Sequence, residues 1–232
     1  MSKQLHVVEL TMADMVERAK TGDRHALEAI VRRIQDNIYG LAIRMLFVPA
    51  DAEDATQEIL VKVITNLGTF KGESRFETWV YRIASNHLLT TQKCRAERWR
   101  LTFETCEGMI EEGVRGGEVK PFLEAEQKLV VEETRLACVH FLLLCLKREL
   151  RLAVVLGEVM GIKSKEAAEI LGLTPAAYRQ RLSRGRKLLV EFLVKRCGLV
   201  DEKNVCHFEM LAALHVKKRH IDPDNLLFAT HP

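Results

Sequence analysis

Apolar residues recur at three- and four-residue steps through most of the chain, the spacing of one buried face on an α-helix. Leu27, Ile30, Val31, Ile34, Ile38, Leu41, Ala42 and Met45 form the clearest such row, with Asp23 as its expected N-cap after Gly22. Pro49 is read as ending that helix, and Asp51 or Asp54 as opening the next, which buries Ile59, Leu60, Val63 and Leu67 and closes at Gly68. A short loop then leads to Ser74-Arg75-Phe76-Glu77, which reads as a capping box ahead of a helix burying Phe76, Val80, Ile83 and Ala84. Periodicity resumes near Glu133 and predicts one helix as far as Met160. No stretch alternates apolar and polar positions as a strand would. The expected fold class is all-α.

Between these halves the pattern changes. Residues 101–132 hold three glycines from Gly113 to Gly117, Pro121 and an excess of glutamate, the composition of a flexible linker that need not fold alone. Two small helical domains are therefore expected, over 10–100 and 133–195, joined by that acidic linker and followed by an extension over 196–232.

The second domain carries the strongest local signal. Ser164 is expected to cap a short helix of Ala167, Ala168, Ile170 and Leu171; Gly172 supplies a turn, and Thr174 and Pro175 cap and open another helix. Tyr178, Leu182, Leu189 and Phe192 share one face of that helix, and Arg179, Gln180, Arg181, Arg184, Arg186 and Lys187 take the rest. A helix-turn-helix uses this arrangement: one helix braces another whose exposed N-terminal residues enter the major groove. Arginine and glutamine have the donor geometry to read guanine and adenine edges, and the other cations suit phosphates. An ordinary helical hairpin with a solvated basic face is the plainer alternative, disfavoured because cap, turn and charge agree.

Net charge is only +3, but its placement matters more. From Lys71 to Arg100 there are seven basic residues against three acidic ones, and from Arg179 to Arg196 seven against Glu191 alone. Between them, Glu104 to Glu133 holds nine glutamates and three basic residues, nine negative less three positive giving −6. This segregation favours a polyanion touched at two places. The N-terminus shows no apolar core of signal-peptide type, because Glu9, Asp14 and Glu17 break it up, so no signal peptide is expected. The longest apolar run, Leu136 to Leu146, is shorter than the ~20 residues of a membrane span. Six cysteines without an export signal point to reduced thiols and a cytoplasmic protein. Neither a Gly-rich phosphate loop nor a catalytic constellation is present, so no enzyme activity and no cofactor is expected.

Three segments narrow the reading. Residues 70–86, Phe-Lys-Gly-Glu-Ser-Arg-Phe-Glu-Thr-Trp-Val-Tyr-Arg-Ile-Ala-Ser-Asn, closely resemble the promoter-melting segment of bacterial sigma factors of the extracytoplasmic-function class. Ala52-Glu53-Asp54-Ala55-Thr56-Gln57-Glu58 resembles the family's core-binding segment, and residues 172–186 its C-terminal helix-turn-helix, of winged-helix-like type without strands. The resemblance covers about residues 10–195. It implies a factor that binds core RNA polymerase, reads the −10 and −35 promoter elements and helps open the DNA. An anti-sigma protein is a further candidate partner.

By the same resemblance, the −10 and melting set is Phe70, Lys71, Gly72, Glu73, Ser74, Thr78, Trp79, Tyr81, Arg82 and Asn86, with Lys93 and Arg95 on phosphates. The −35 set is Thr174, Pro175, Ala176, Ala177, Arg179, Gln180, Arg181 and Arg184. Asp54, Gln57 and Glu58 face the polymerase, though carboxylates also favour a helix N-terminus for its dipole. Trp79 reads equally well as a core aromatic. The acidic linker is implied to run towards the RNA path of the polymerase.

The extension departs from the minimal family pattern. Cys197, Cys206 and His207 are candidate metal ligands or redox groups, against the plainer reading of a docked tail with incidental thiols. Leu211, Leu214, Leu226, Leu227 and Phe228 are placed to pack the tail on the second domain, where it would gate DNA binding. A stand-alone helix-turn-helix regulator, metal- or redox-responsive through this tail, is the rival function.

Overall fold

The computed structural model describes residues 11–91, 95–115 and 127–229. Within them the chain forms ten α-helices and no sheet; the one isolated bridge joins Cys197 to Cys206. α1 (Met12–Lys20), α2 (Arg24–Leu46), α3 (Pro49–Asn66) and α4 (Phe76–Thr90) pack as the first domain. α5 (Phe103–Arg115) follows, then α6 (Lys128–Leu144), α7 (Arg148–Val154), α8 (Ser164–Ile170), α9 (Pro175–Arg196) and α10 (Phe208–Lys217).

Local chemistry explains most boundaries. Asp23 caps α2 as expected, accepting from the backbone N–H groups of His25 and Ala26. Other ends differ from the sequence reading. α2 stops at Leu46, three residues before Pro49, and Phe47 turns the chain with φ 70°. Pro49 instead begins α3, where its missing N–H costs nothing. The capping box at Ser74 is not formed: Arg75 is the N-cap without a side-chain bond, and the Ser74 hydroxyl donates to the Arg75 carbonyl. Ser164 likewise lies inside α8, behind Lys163 as N-cap.

The helix expected from Glu133 to Met160 is broken at Cys145–Lys147. Its second part ends in a π-turn over Val155–Val159. Arg151 explains the break. Only 2% exposed, it spans the turn, donating to the carbonyls of Leu143, Leu144 and Leu146 and across to Met45 at the end of α2. The desolvation of so buried a guanidinium is offset by the carbonyl oxygens that take its donors.

Part of the expected linker is ordered helix. α5 places Phe103, Cys106 and Ile110 against Phe192, Leu189 and Leu142, while Arg196 pairs with Glu107 and Glu111, each at 3.2 Å. Residues 116–126, including Pro121, lie outside the described residues.

The two domains share one continuous core. Ile38, Leu41 and Met45 of α2 belong to the same buried cluster as Leu143, Leu152, Leu156 and Ile170. At the junction Arg148 donates to Glu97 at 2.6 and 2.7 Å and to the carbonyls of Leu88, Leu89 and Thr91. α4 also packs along α8.

Candidate nucleic-acid interface

The helix-turn-helix forms as its sequence requires. Gly172 adopts φ 63°, a conformation costly for a side-chain-bearing residue, and the Thr174 hydroxyl accepts from Ala177 N–H at 3.2 Å. α8 and α9 close over Ala167, Ala168, Ile170 and Tyr178, all fully buried. The Tyr178 hydroxyl donates to the Ala153 carbonyl at 3.0 Å. At Gly185, α9 meets α7 so closely that an added Cβ would stand 2.6 Å from a Val154 methyl.

This packing fixes which side chains face water. Thr174, Pro175, Ala176, Arg179, Gln180 and Arg184 are exposed, with Ala177 and Arg181 half-buried beside them. Arg186, further along, pairs with Glu158 and is less free to contact a ligand. The exposed amide and guanidinium donors at the start of α9 match what a groove-reading helix presents.

The first domain gathers the other predicted residues around α4. Phe70 stacks edge-on against Phe76 at 5.4 Å, and Trp79 lies 5.7 Å from Phe76 in a stacked arrangement. Lys20 braces the Phe70 loop, donating to its carbonyl at 2.7 Å. Lys71, Gly72 and Glu73 stay exposed at the loop tip, and Ser74 is half-buried. Trp79 is thus partly a core aromatic. Its remaining surface, with Asn86, Lys62, His87 and Thr90, lines an open cleft of about 380 Å³ between α3 and α4. Lys62 Nζ lies 2.7 Å from His87 Nδ1, and burial, then this cation, hold the imidazole below its usual pKa. The lysine and histidine were not singled out from sequence; their spacing across two helices gives no local signal.

Thr78, Tyr81 and Arg82 do not face that cleft. Thr78 is 2% exposed and its hydroxyl donates to Glu166 of α8 at 2.8 Å, while Arg82 donates to the Glu169 carbonyl at 3.1 Å. Burial, followed by the Glu77 and Glu166 charges, raises the Tyr81 phenol. The predicted −10 set is therefore split between an open cleft and a face covered by the second domain. Arg95 pairs with Asp51 at 3.2 Å, and Lys93 lies outside the described residues. Asp54, Gln57 and Glu58 form an exposed patch on α3, with Glu58 3.7 Å from His87.

The extension does not assemble the suggested ligand set. Cys197 and Cys206 are buried side by side on the bridge, whereas His207 is exposed, and no metal-holding group of three or more such side chains occurs among the described residues. Burial, then neighbouring thiols at 206, 197 and 106, push Cys138 up to about 12.

Residues 30–100 match the model of sigma-70 region 2, and residues 136–189 that of sigma-70 region 4. The chain belongs to the sigma-70 family. The sigma-H factor of Pseudomonas aeruginosa is 30% identical over 75% of this chain and 90% of its own length. The extracytoplasmic-function sigma-E factor of Escherichia coli is 31% identical over 81% of this chain and 98% of its own. A solved structure of CnrH in complex with the cytosolic domain of CnrY shares the fold, with TM-score 0.56, 23% identity, and coverage of 77% of this chain and 94% of that one. In the sigma factor so identified, the cleft lies within the region 2 match and the helix-turn-helix within the region 4 match. A stand-alone regulator is not favoured, since region 2 has no place in one. No helix among the described residues is long and apolar enough to cross a membrane.

Proposed function

We propose that this sigma factor divides promoter reading between two surfaces, one of which is partly covered in the free chain. Residues 133–195 act on the −35 element, with Arg179, Gln180 and Arg181 on base edges and Thr174 to Ala177 and Arg184 on the backbone. Residues 10–100 act on the −10 element. The cleft beside Asn86 and Trp79 has room for a base drawn out of the stack, an indole surface beside it, and the Lys62 cation at its edge. The Phe70–Ser74 loop forms the adjoining backbone surface, and Lys93 and Arg95 hold phosphates. Asp54, Gln57 and Glu58 dock core polymerase, and the linker of residues 101–132 connects the two heads.

The observation that carries this reading is the pairing of an exposed α9 N-terminus with an α4 whose Thr78 and Arg82 are held by α8. DNA cannot lie on that face of α4 while α8 covers it. Core polymerase, by separating the domains, makes the −10 face available, and a protein that stabilised the closed form would act as an anti-sigma factor. The factor supplies recognition and strand opening; phosphodiester chemistry belongs to the polymerase, in the cytoplasm where it works.

Sequencing the 5′ ends of run-off transcripts made by core polymerase plus this chain on fragmented genomic DNA tests the reading. Starts should share two upstream elements at fixed separation, and Arg179→Ala should relax the distal one alone. Starts with no shared elements would refute it.

A further inference from the structure

The C-terminal segment is seated where the two domains meet. Glu133 on α6 is 3% exposed, and its carboxylate accepts backbone N–H groups from Leu227 at 2.9 Å, Phe228 at 2.8 Å and Ala229 at 2.7 Å. All its bonds are to donors of the tail, and among the described residues it makes no ion pair. A carboxylate this buried is costly without such donors. Its desolvation is offset by the tail.

The Phe228 side chain joins both domains. Its ring stacks on His140 of α6, with centroids 4.7 Å apart and planes at 19°, and meets Phe47, just beyond α2, at 5.7 Å. Phe47 itself packs edge-on against Trp99 and Phe141. An aromatic socket is thus built half from the first domain and half from the second. Leu226 and Phe228 are buried, whereas Lys217 to His220 and Asp222 to Asn225 are exposed. α10 packs separately along α6, and its Leu211 and Ala212 are buried. Residues 226–229 can therefore withdraw along an exposed strap without unravelling α10.

We propose that the groove formed by Glu133, His140 and Phe47 is a binding site for an extended aromatic peptide segment, occupied in cis by residues 226–229. Occupancy latches the domains together and keeps α8 over α4. This rests on the reading that the domains must part for −10 recognition. A latch that removes the competent state from the population lowers apparent affinity for core polymerase by the same fraction.

The test has two arms. In the first, a fluorescein-labelled peptide of residues 220–232 is titrated by anisotropy against a chain ending at Asn225, and against the same chain with Glu133→Gln. The peptide should bind the former and bind the latter roughly tenfold more weakly, since a charged acceptor for three donors is lost. In the second, full-length Phe228→Ala and wild type are compared by small-angle scattering and by core-polymerase titration in promoter-directed transcription. Phe228→Ala should enlarge the radius of gyration and raise apparent core affinity by about tenfold, and for the chain ending at Asn225 the free peptide should reverse the gain. Absence of peptide binding, or a Phe228→Ala protein as compact as wild type with unchanged core affinity, would overturn the proposal. Transcription absent from wild type and variant alike would count against the promoter reading, while anisotropy and scattering still decide the latch.

Discussion

The Thr78 hydroxyl donates to the Glu166 carboxylate at 2.8 Å, tying α4 of region 2 to the first helix of the helix-turn-helix. Arg75 reaches the same carboxylate at 3.9 Å, and Arg82 meets Glu169 one turn on. Region 2 and region 4 are thus joined through side chains that the proposed −10 surface includes. On that proposal, promoter binding and domain closure compete for the same side chains.

Glu166→Ala removes that half-buried carboxylate, and with it the contacts of both Thr78 and Arg75. A bond to a charged acceptor contributes about 1.5–3 kcal/mol net, so the closed arrangement should weaken by about the lower end of that range at a half-buried site. Small-angle scattering should show a larger radius, and core-polymerase titration a tighter apparent affinity. An unchanged radius with intact folding would mean that this contact does not hold the domains.

Arg148 is the stability counterpart. It binds Glu97 through two nitrogens and caps three carbonyls at the end of α4. Arg148→Met takes a two-nitrogen partner from the Glu97 carboxylate, which also lies 3.6 Å from Arg151, and removes the donor to those three carbonyls. Removing one partner of a largely buried pair costs about 3 kcal/mol, equivalent to a fall of roughly 5–10 °C in Tm. Calorimetry checks it, and a loss below 2 °C would contradict the assignment.

Gly185→Ala sets two effects against each other. Helix propensity favours alanine by about 1 kcal/mol. The new Cβ, however, would sit 2.6 Å from Val154 Cγ2 and 3.3 Å from the Leu150 carbonyl, and overpacking typically costs ~1–3 kcal/mol. Net destabilisation is expected, read as a lower urea midpoint. A higher midpoint would show that α7 and α9 can separate freely.

Cys106 and Cys145 place their sulfurs 3.3 Å apart across α5 and the end of α6. The hydrogen bond from Cys145 lowers the Cys106 pKa, while sharing that proton and burial raise that of Cys145. Hydrogen peroxide should convert this pair to a disulfide, two thiols and one peroxide giving one disulfide and two waters. Peptide mapping should find Cys106 linked to Cys145 before any other pair, reversibly by dithiothreitol. Linkage of Cys197 to Cys206 first would contradict the geometry.

How much of this was legible in the sequence depended on how local each signal was. Gly172, Thr174 and Pro175 act through their own backbone, and the turn formed as read. Ser74 and Ser164 carried the right chemistry for caps, but the helices begin elsewhere because packing of Phe76 and Ala167 sets the register. α5 is concealed by charge: Phe103, Cys106 and Ile110 have helical spacing, but the surrounding glutamates have the composition of a linker, and the Arg196 that pairs with two of them is distant in sequence. Glu133 stands at the end of the same acidic run. Its burial depends on a segment more than ninety residues away, which no local pattern announces. Leu211, Leu226 and Phe228 are buried, and the tail packs on α6 of the second domain as expected, but Phe228 also meets Phe47 of the first, and Leu227 is exposed.

The most direct test of the central claim is permanganate mapping of unpaired thymines on a promoter bearing both elements. With core polymerase and this chain, reactivity should appear in the −10 region, and neither component alone should produce it. Asn86→Ala should lose that reactivity while keeping the −35 footprint, because the cleft and the helix-turn-helix lie on different domains. Strong sequence-specific protection of duplex DNA by the chain alone, with no opening when polymerase is added, would contradict the account.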